Sequence, residues 1–451
     1  MIPLSEDQLI LRTIQSLKEG KKKELEIFLA ELQPYDMAVI YSALPLKHRA
    51  RFLLHLSIPT LADMIQELER DEQLDALKQL GKERSDQVLD DMDNDDIASL
   101  LDDMSPEGIS AFLSGMKKSE STIVQSILAY PPETAGRLMT NRFVWIRNDF
   151  TVRDAVDKLK SFADFAETIN YLYVTNEQRH LVGVVSYRDL LIADINDTIQ
   201  NIMFERVISV SALTDQEEVA RIIERYDFLA IPVVEEDLQL VGIVTVDDII
   251  DVVIQEANED IEKLSASGKS IDFDTLATVA TYRRLPWLIL LLFIGLVSGS
   301  IISLFEDTLH QVVALTFFMP MIAGMTGNTG TQSLAVVVRG LASKDIDSTI
   351  VKRLILREFV VGLLIGLICG TLIALIAYLW QGSLVLGFVV GSSLILTLII
   401  GTLAGTVIPL ILYKFNIDPA VASGPLITTI NDIFSLITYF TIASWFLHAL
   451  M

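Results

Sequence analysis

The second half of the chain is a series of long apolar runs separated by short polar segments. The run from Pro286 to Phe305 has twenty residues without a formal charge, which is enough for a helix to cross a hydrocarbon core about 30 Å thick. Four further runs follow, each bounded by charged residues or by Gly, Pro or Asn, at about 311–338, 359–380, 383–413 and 421–447. The pattern predicts five transmembrane helices within residues 284–451, the first at about 286–305.

Basic residues near the ends of these runs predict the orientation in the membrane. Arg283 and Arg284 precede the first run. Five more basic residues lie between the second and third runs, at Arg339, Lys344, Lys352, Arg353 and Arg357. The segments 306–310 and 381–382 contain no Lys or Arg. Because cytoplasmic loops carry the excess of basic residues, we expect a multi-pass protein of the cell (plasma) membrane with residues 1–283 cytoplasmic and the C-terminus outside.

The first half of the chain shows shorter patterns of two kinds. Residues 1–135 contain amphipathic patterns at about 12-residue spacing, with a helix start at Ser105-Pro106-Glu107, and predict an all-α superhelical domain. After it, the run that begins at Leu181 matches the run that begins at Leu240. Each copy predicts a helix, two strands and a second helix, so we expect a pseudo-symmetric α/β pair at 136–200 and 201–253.

Each copy of this repeat ends in Gly-φ-φ-Ser/Thr-x-x-Asp, where φ is an apolar residue. The pattern occurs at Gly183 to Asp189 and at Gly242 to Asp248, and it resembles the signature of tandem CBS (cystathionine-β-synthase-type) domains. The resemblance implies nucleotide contacts, with ATP as the candidate ligand, at Ser186, Arg188, Asp189, Thr245 and Asp248. The same Ser/Thr-x-x-Asp spacing is also that of a helix cap without a ligand, and both interpretations stay open.

Charge is distributed very unevenly between the two halves. The chain has 35 Lys and Arg against 59 Asp and Glu, a formal net charge of −24. Residues 284–451 contain seven bases and seven acids, so the whole excess lies in residues 1–283. Such a balance excludes a nucleic-acid partner held by phosphate contacts. The single Cys and five scattered His exclude a disulfide framework and a zinc site.

Acidic residues concentrate in two cytoplasmic segments. Seven Asp lie between positions 90 and 103. A linker helix is predicted over 254–283, and the helical pattern that leads into it is uninterrupted from Asp248 to about Leu276. Along this pattern, one face carries acids within an arc of about 80°, at Asp248, Asp251, Glu259 and Glu262, flanked by Glu256 and Asp260. The mutual repulsion of these acids must be relieved by water, salt or divalent cations. A solvated face and a divalent-cation sensor are therefore the two alternatives.

One acid lies in the middle of an apolar run. Asp432 has no Lys or Arg in the last span, and an intramembrane carboxylate marks an ion or proton path by default. The polar residues 324–332 predict irregular backbone in the second span, and Asp418 to Pro425 predict a kinked start of the last span. Carboxylate, amide, hydroxyl and carbonyl oxygens favour Mg²⁺ or Ca²⁺. A protonated Asp432 in a helix contact, and glycines that serve only packing, remain alternatives.

The order of these parts resembles the MgtE family of magnesium channels over essentially the whole chain. The most specific motifs are Gly327-Asn328-x-Gly330-x-Gln332 and Ser423-Gly424-Pro425 followed by Asp432. The resemblance implies a homodimeric Mg²⁺ channel in the lipid membrane, without enzymatic activity, closed by cytoplasmic Mg²⁺. Its pore residues are Asp432, Asn328, Gly327 and Thr428, with Glu358 and Asp418 as candidates for an inner vestibule. Its sensor residues are Asp91, Asp95, Asp215, Glu217, Asp227, Asp248, Asp251, Glu256, Glu259 and Asp260.

Three other functional classes are alternatives to a Mg²⁺ channel. A carrier coupled to Na⁺ or H⁺ would use Asp432 as the coupling site, and the sequence leaves this alternative open. An intramembrane aspartyl enzyme would need two facing carboxylates, whereas only Asp432 is at mid-depth. A receptor without transport is disfavoured by the polar span interiors.

Overall fold

The computed structural model describes residues 5–102, 104–163, 165–266, 271, 275–343, 347–415 and 417–450. The chain divides into two compact units, residues 1–254 and residues 255–451. Each unit is described by itself.

The first unit begins with a region that is helical throughout. Serine side chains cap the N-termini of two of its helices: the Ser57 hydroxyl accepts the N–H of Thr60, and the Ser105 hydroxyl accepts the N–H of Gly108. Fully buried Tyr41 lies in the core between these helices. The helices are α1 (Glu6–Glu19), α2 (Lys22–Leu29), α3 (Pro34–Ala43), α4 (Leu46–Leu53), α5 (Ile58–Gln66), α6 (Arg70–Leu80), α7 (Lys82–Leu89), α8 (Asn94–Leu101), α9 (Pro106–Leu113) and α10 (Lys118–Leu128). The predicted all-α N-terminal domain is confirmed.

Two small mixed sheets follow, as the internal repeat predicts. In each sheet the first two strands are parallel and the last two antiparallel, in the orders β1-β2-β3 and β4-β5-β6. The elements are α11 (Ala135–Leu138), β1 (Phe143–Arg147), α12 (Val152–Phe162), β2 (Thr168–Thr175), β3 (Leu181–Ser186), α13 (Tyr187–Ile192), α14 (Ile199–Ile202), β4 (Val210–Ser211), α15 (Gln216–Tyr226), β5 (Ala230–Val234) and β6 (Leu240–Thr245).

The glycine of each repeat motif has the same structural reason. A Cβ on Gly183 would lie 2.6 Å from Met203 Sδ, and a Cβ on Gly242 would lie 2.6 Å from Met139 Sδ. Each motif strand therefore needs a residue without a side chain where a methionine from another segment crosses it. The repeated sequence pattern thus corresponds to a repeated packing contact.

A single helix, α16 (Val246–Leu264), leads from the second sheet into the second unit. The prediction of a continuous helix to Leu276 is wrong beyond Leu264. Ala266 has a left-handed backbone conformation with φ at 56°, which a right-handed helix cannot continue through. Residues 267–270 and 272–274 of the predicted linker lie outside the described residues.

The second unit contains the long apolar helices. Its helices are α17 (Ala277–Leu304), α18 (Glu306–Gln311), α19 (Leu315–Ser343), α20 (Ser348–Gln381), α21 (Leu384–Lys414), α22 (Gly424–Trp445) and α23 (Leu447–Leu450), with a 3₁₀ turn at Pro419–Val421 before α22. Among the described residues, α17, α20, α21 and α22 are long and apolar enough to cross a membrane. The second predicted span, at about 311–338, corresponds to α19 (Leu315–Ser343), which has more polar residues. The kinked start of the last span is confirmed by the 3₁₀ turn.

The expected irregular backbone in the second span is wrong, because α19 is one continuous helix through residues 324–332. Threonine hydroxyl groups in this stretch bond within the helix: Thr326 Oγ1 donates to the Ile322 carbonyl at 2.8 Å, and Thr329 Oγ1 donates to the Met325 carbonyl at 2.7 Å. Polar side chains that bond to their own helix leave its regular geometry intact.

Glycine also permits close helix packing elsewhere in this unit. A Cβ on Gly370 of α20 would lie 2.8 Å from the Gly391 carbonyl of α21, and a Cβ on Gly391 would lie 2.7 Å from the Gly370 carbonyl. The two backbones therefore approach too closely for any side chain at either position.

Candidate metal sites

Asp432 lies on α22 and is partly exposed. Within the described part of the chain, no side chain forms a hydrogen bond or an ion pair with its carboxylate; Ser435 bonds only to its backbone carbonyl, at 2.9 Å. An unneutralised carboxylate on an apolar helix is costly and needs a cation, a proton or water. Asn328 is exposed on α19 and can offer a second oxygen donor.

Gly327 and Thr428 contact each other at the packing surface between α19 and α22. A Cβ on Gly327 would lie 2.7 Å from Thr428 Cγ2, while Thr428 Oγ1 donates to the Gly424 carbonyl at 2.8 Å. The hydroxyl of Thr428 is thus already engaged, and Gly327 is buried. The metal-binding role of these two residues stays a prediction, but the structure gives both of them a packing role.

Both predicted vestibule acids have protein partners. Glu358 is buried, and its oxygens accept a hydrogen bond from Ser333 Oγ at 2.8 Å and from Arg357 Nη2 at 2.8 Å. Asp418 caps the 3₁₀ turn through the Ala420 N–H at 2.8 Å and pairs with Lys263 Nζ at 2.6 Å. Both carboxylates therefore have structural contacts, and their role in an inner vestibule stays a prediction.

The last turn of α16 forms a charged contact with the segment before α22. Lys263 pairs with Glu259 as well as with Asp418, and these two contacts raise the pKa of Lys263 although burial acts in the opposite direction. Burial and the Asp418 charge raise the pKa of Asp260, with a smaller contribution from Glu256. Two acids of the predicted sensor, Glu259 and Asp260, therefore lie near Asp418 and the ammonium group of Lys263.

A second acidic group lies in the first unit, at the start of α16. One carboxylate oxygen from each of Glu167, Asp247 and Asp248 lies within 4.8 Å of the others. Thr245 Oγ1 lies 2.9 Å from Glu167 and 2.6 Å from Asp248, and its single proton can serve only one of them. Burial, with repulsion from nearby acids, raises the pKa of Glu167 and of Asp248 to about 7. Such a group can hold a divalent cation through carboxylate oxygens.

Two acids of the N-terminal helical region extend this group. Asp95 is 8% exposed and its Oδ1 has no hydrogen-bond partner among the described residues. Burial, Asp96 and Asp248 raise the pKa of Asp95. Burial also raises the pKa of Asp96 to about 7. We name the group of Asp95, Asp96, Glu167, Asp247 and Asp248 the cytoplasmic acid cluster.

The remaining sensor predictions have different surroundings. Asp91 is exposed near Asp63, and Asp251 lies near Glu67; in both cases the neighbour's pKa is raised, first by burial and then by the nearby charge. Asp215 caps α15 through the Glu217 N–H at 2.9 Å. Asp227 follows the other end of this helix, about 18 Å from Asp215 at 1.5 Å per residue. The structure therefore brings Asp95 and Asp248 together, but not Asp227 with Asp215.

Sequence reasoning missed Asp247, Asp96 and Glu167. Asp247 adjoins Asp248 in the repeat motif, so comparing the two motifs position by position could have found it. Asp96 belongs to the run of Asp residues but has no motif of its own. Glu167 is 78 residues from Thr245 in the chain, and no local pattern connects it to the motif.

The two motif turns differ in charge at one position. In the first, Ser186 Oγ accepts the Asp189 N–H at 3.1 Å and lies 2.6 Å from the Asp189 carboxylate, and the two side chains between them, Tyr187 and Arg188, are exposed. In the second, the position of Arg188 is occupied by Asp247. The helix-cap interpretation is confirmed at Ser186. Arg188 suits an anionic group and the second turn suits a cation.

Three regions of the chain match known sequence families. Residues 319–442 match the MgtE family described as "Divalent cation transporter", residues 32–133 match the "MgtE intracellular N domain", and residues 135–196 and 199–255 match the "CBS domain". A crystal structure of "the soluble part of a magnesium transporter" superposes with a TM-score of 0.54 at 39% identity, covering 56% of this chain and 100% of that chain. Another, "the cytosolic domain of the Mg2+ channel MgtE in complex with ATP", has a TM-score of 0.52 at 35% identity, with 54% and 99% covered.

Full-length relatives extend the similarity to the whole chain. The chain is 37% identical to "Magnesium transporter MgtE" of Thermus thermophilus over 98% of this chain and 100% of the relative. It is 61% identical over 444 residues to "Magnesium transporter MgtE" of Bacillus subtilis, covering 98% of both chains. With identity at this level over nearly the whole length, the chain belongs to the MgtE family of divalent cation transporters.

Proposed function

We propose that this protein is a Mg²⁺ channel of the plasma membrane, which mediates magnesium uptake and is closed by Mg²⁺ on its cytoplasmic side. The observation that carries the proposal is Asp432, a carboxylate on a membrane helix that no side chain of the described residues neutralises. Asn328 supplies a second oxygen donor on α19, the helix against which α22 packs. The names of the relatives, each a magnesium transporter, support the choice of ion.

The sparse ligand set fits an ion that keeps most of its water. Mg²⁺ dehydrates reluctantly and is usually bound through one or two carboxylates with several waters retained. One Asp432 per chain is few for a bare ion, so we propose a homodimer in which two symmetry-related Asp432 side chains face a shared path. Asn328 then contacts the hydration shell, and Gly327 and Thr428 form the helix contact behind these two residues.

We further propose that the cytoplasmic acids sense Mg²⁺. The cytoplasmic acid cluster is expensive to form without a cation because its carboxylates repel one another at close range. At the other end of α16, the contact of Lys263 with Asp418 connects the helix to the segment before α22. A cation bound at the cluster changes the position of α16, and this movement reaches the helix that bears Asp432. The contact is therefore a direct route for closing the ion path.

The exposed turn at Ser186, Arg188 and Asp189 is the proposed ATP site of the CBS pair. Support comes from the cation at Arg188 and from the similar cytosolic domain solved in complex with ATP. We expect Arg188→Ala to weaken ATP binding about tenfold, the loss of one charged hydrogen bond, measured by calorimetry on the full-length protein. The exposed Arg153→Ala is the matched control, and equal affinity in both variants would remove Arg188 from the site.

Mg²⁺ uptake into liposomes containing the purified full-length protein tests the transport proposal. Asp432→Ala should abolish uptake while the protein remains folded, whereas the exposed acid variant Asp307→Ala should transport normally. Uptake should also persist when the Na⁺ and H⁺ gradients are collapsed. Full transport by Asp432→Ala would remove the pore assignment, and a requirement for either gradient would favour the coupled carrier.

A further inference from the structure

Three helices of the second unit come closest together around Gly330 of α19. A Cβ on Gly330 would overlap the Asn431 side-chain nitrogen, and a Cβ on Gly405 of α21 would overlap the Gly330 carbonyl. Asn431 of α22 is fully buried at this junction, and its Nδ2 donates to the Thr326 carbonyl at 3.4 Å. The side-chain amide thus occupies the space that the missing side chain of Gly330 leaves.

Two glycines of α19 each leave a space, here called a notch, that a side chain of α22 occupies, and the two notches fix the position of α22 along α19. Gly327 accommodates Thr428, and Gly330 accommodates Asn431, so the spacing is three residues on both helices. A helix that slid along its neighbour would have to withdraw both side chains at once. Asn328 directly follows Gly327 in the chain, and Asp432 directly follows Asn431. The two notches therefore determine the height of Asp432 relative to Asn328.

Packing alone does not explain why the residue in the second notch is an amide. The Oδ1 atom of Asn431 is buried and has no hydrogen-bond partner among the described residues. A buried polar atom without a partner costs free energy, and an apolar side chain of similar size would avoid this cost. The Nδ2 contact with Thr326 fixes the rotation of α22 in addition to filling space, and only an amide provides it here.

We propose that Asn431 is a positioning residue for the ion path: it holds Asp432 at the height and rotation that let it act with Asn328. The inference rests on the proposed Mg²⁺ transport through these two residues. Asn431 itself does not contact the ion, since its side chain is directed into the contact with α19. Residues that orient a metal ligand typically change affinity or activity by about 10–100-fold when they are replaced.

Transport measurements separate positioning from packing. Asn431→Leu should keep the melting temperature of the full-length protein while raising the Mg²⁺ concentration for half-maximal uptake about tenfold or more. In Asn431→Ala/Gly330→Ala, the new methyl group takes part of the space that the amide vacates, although it lies 3.2 Å from the Gly401 carbonyl. This double variant should therefore regain part of the melting temperature lost in Asn431→Ala but not the Mg²⁺ affinity. Gly391→Ala, which disturbs the α20–α21 contact, should lower the melting temperature and leave half-saturation unchanged.

A disulfide reports the helix register without any transport measurement. An ideal Cβ on Gly327 lies 3.5 Å from Thr428 Cβ, within the range of disulfides. In a Cys369→Ala background, Gly327→Cys with Thr428→Cys should therefore cross-link readily, and adding Asn431→Leu should remove most of the cross-link. An undiminished cross-link would overturn the proposal.

The transport results have equally definite meanings. Unchanged half-saturation in Asn431→Leu would overturn the inference, as would recovery of both stability and affinity in the double variant. If Asp432→Ala transports like the unmodified protein, the proposed function fails instead. The cross-link then still decides whether Asn431 sets the register.

Discussion

The cytoplasmic acid cluster and the membrane position of Asp432 use the same type of ligand in opposite ways. The cluster brings carboxylates together until their oxygens lie within 4.8 Å of one another, and burial raises the pKa of three of its members to about 7. At the membrane position there is one carboxylate without a partner among the described residues. A crowded site retains an ion, whereas conduction needs binding weak enough for the ion to leave.

Under the proposed function, this difference lets one protein sense Mg²⁺ at one site and pass it at the other. Replacing water by several carboxylates gives affinity at the cost of slow release, which suits a sensor. A single carboxylate leaves Mg²⁺ largely hydrated, which suits a path. Removing acids from the cluster should therefore weaken its binding of Mg²⁺. Adding acids to the ion path should slow the release of Mg²⁺ there.

The largest effect should follow from neutralising the cluster. We expect Glu167→Gln, Asp247→Asn and Asp248→Asn together to raise the cytoplasmic Mg²⁺ concentration needed for closure by about 100-fold, within the usual range of coupling between sites. Uptake at low cytoplasmic Mg²⁺ should be unchanged because the membrane helices are untouched. The exposed Glu236→Gln is the control. Normal closure in the triple variant would leave the cluster a solvated acidic surface.

Adding an acid to the path should have the next largest effect. In Asn328→Asp a second carboxylate joins Asp432, so Mg²⁺ should bind more tightly and leave more slowly. We expect the maximal uptake rate to fall about tenfold, equivalent to about 1.4 kcal/mol, with half-saturation at lower Mg²⁺. Concentration-dependent uptake into liposomes measures both quantities, and Asn328→Ala controls for the lost amide. A faster maximal rate would contradict the sparse-ligand argument.

The pH dependence of Mg²⁺ binding sharpens the same comparison. Because burial raises the pKa of Asp96, Glu167 and Asp248 from about 4 to about 7, the folded metal-free protein holds protons that the unfolded chain has released. Its stability should fall as the pH rises from about 4 through about 7. Mg²⁺ needs the ionised carboxylates, so its affinity should increase about tenfold per carboxylate between pH 6 and pH 8.

Thermal unfolding of the full-length protein with and without Mg²⁺ measures this dependence. The increase in melting temperature caused by Mg²⁺ should be larger at pH 8 than at pH 6. The triple cluster variant should lose most of this difference. An equal Mg²⁺ effect at both pH values in the unmodified protein would contradict the assignment of the cluster as the cation site.

The smallest effect is expected at the end of α16. Lys263 pairs with Glu259 and Asp418, and its contact with Asp418 connects α16 to the segment before α22. Lys263→Met should therefore raise the cytoplasmic Mg²⁺ concentration needed for closure about threefold, the scale of a partly exposed ion pair. The exposed Lys160→Met is the control in patch recordings. A shift toward lower Mg²⁺ would show that the ammonium group competes with the cation and does not connect the two segments.

Sequence alone predicted those features that have a local signature. An acid within an apolar run identified Asp432, and a repeated motif identified the two α/β copies. Features made by contacts between distant segments could not be predicted: Glu167 joins Asp248 only through the fold. The continuity of α19 depends on hydroxyl groups that bond to their own helix. The proposed role of Asn431 depends on the contact of its amide with α19. The sequence shows only a polar residue next to an acid, which does not indicate that contact.

Current through inside-out membrane patches containing the full-length protein tests the central claim most directly. Cytoplasmic Mg²⁺ is stepped from submillimolar to millimolar while Mg²⁺ current enters from the other side. The account predicts a Mg²⁺ current that declines as cytoplasmic Mg²⁺ rises and that is absent in Asp432→Ala. No current from folded protein would contradict the channel, and a current insensitive to cytoplasmic Mg²⁺ would contradict the division between a retaining site and a conducting one.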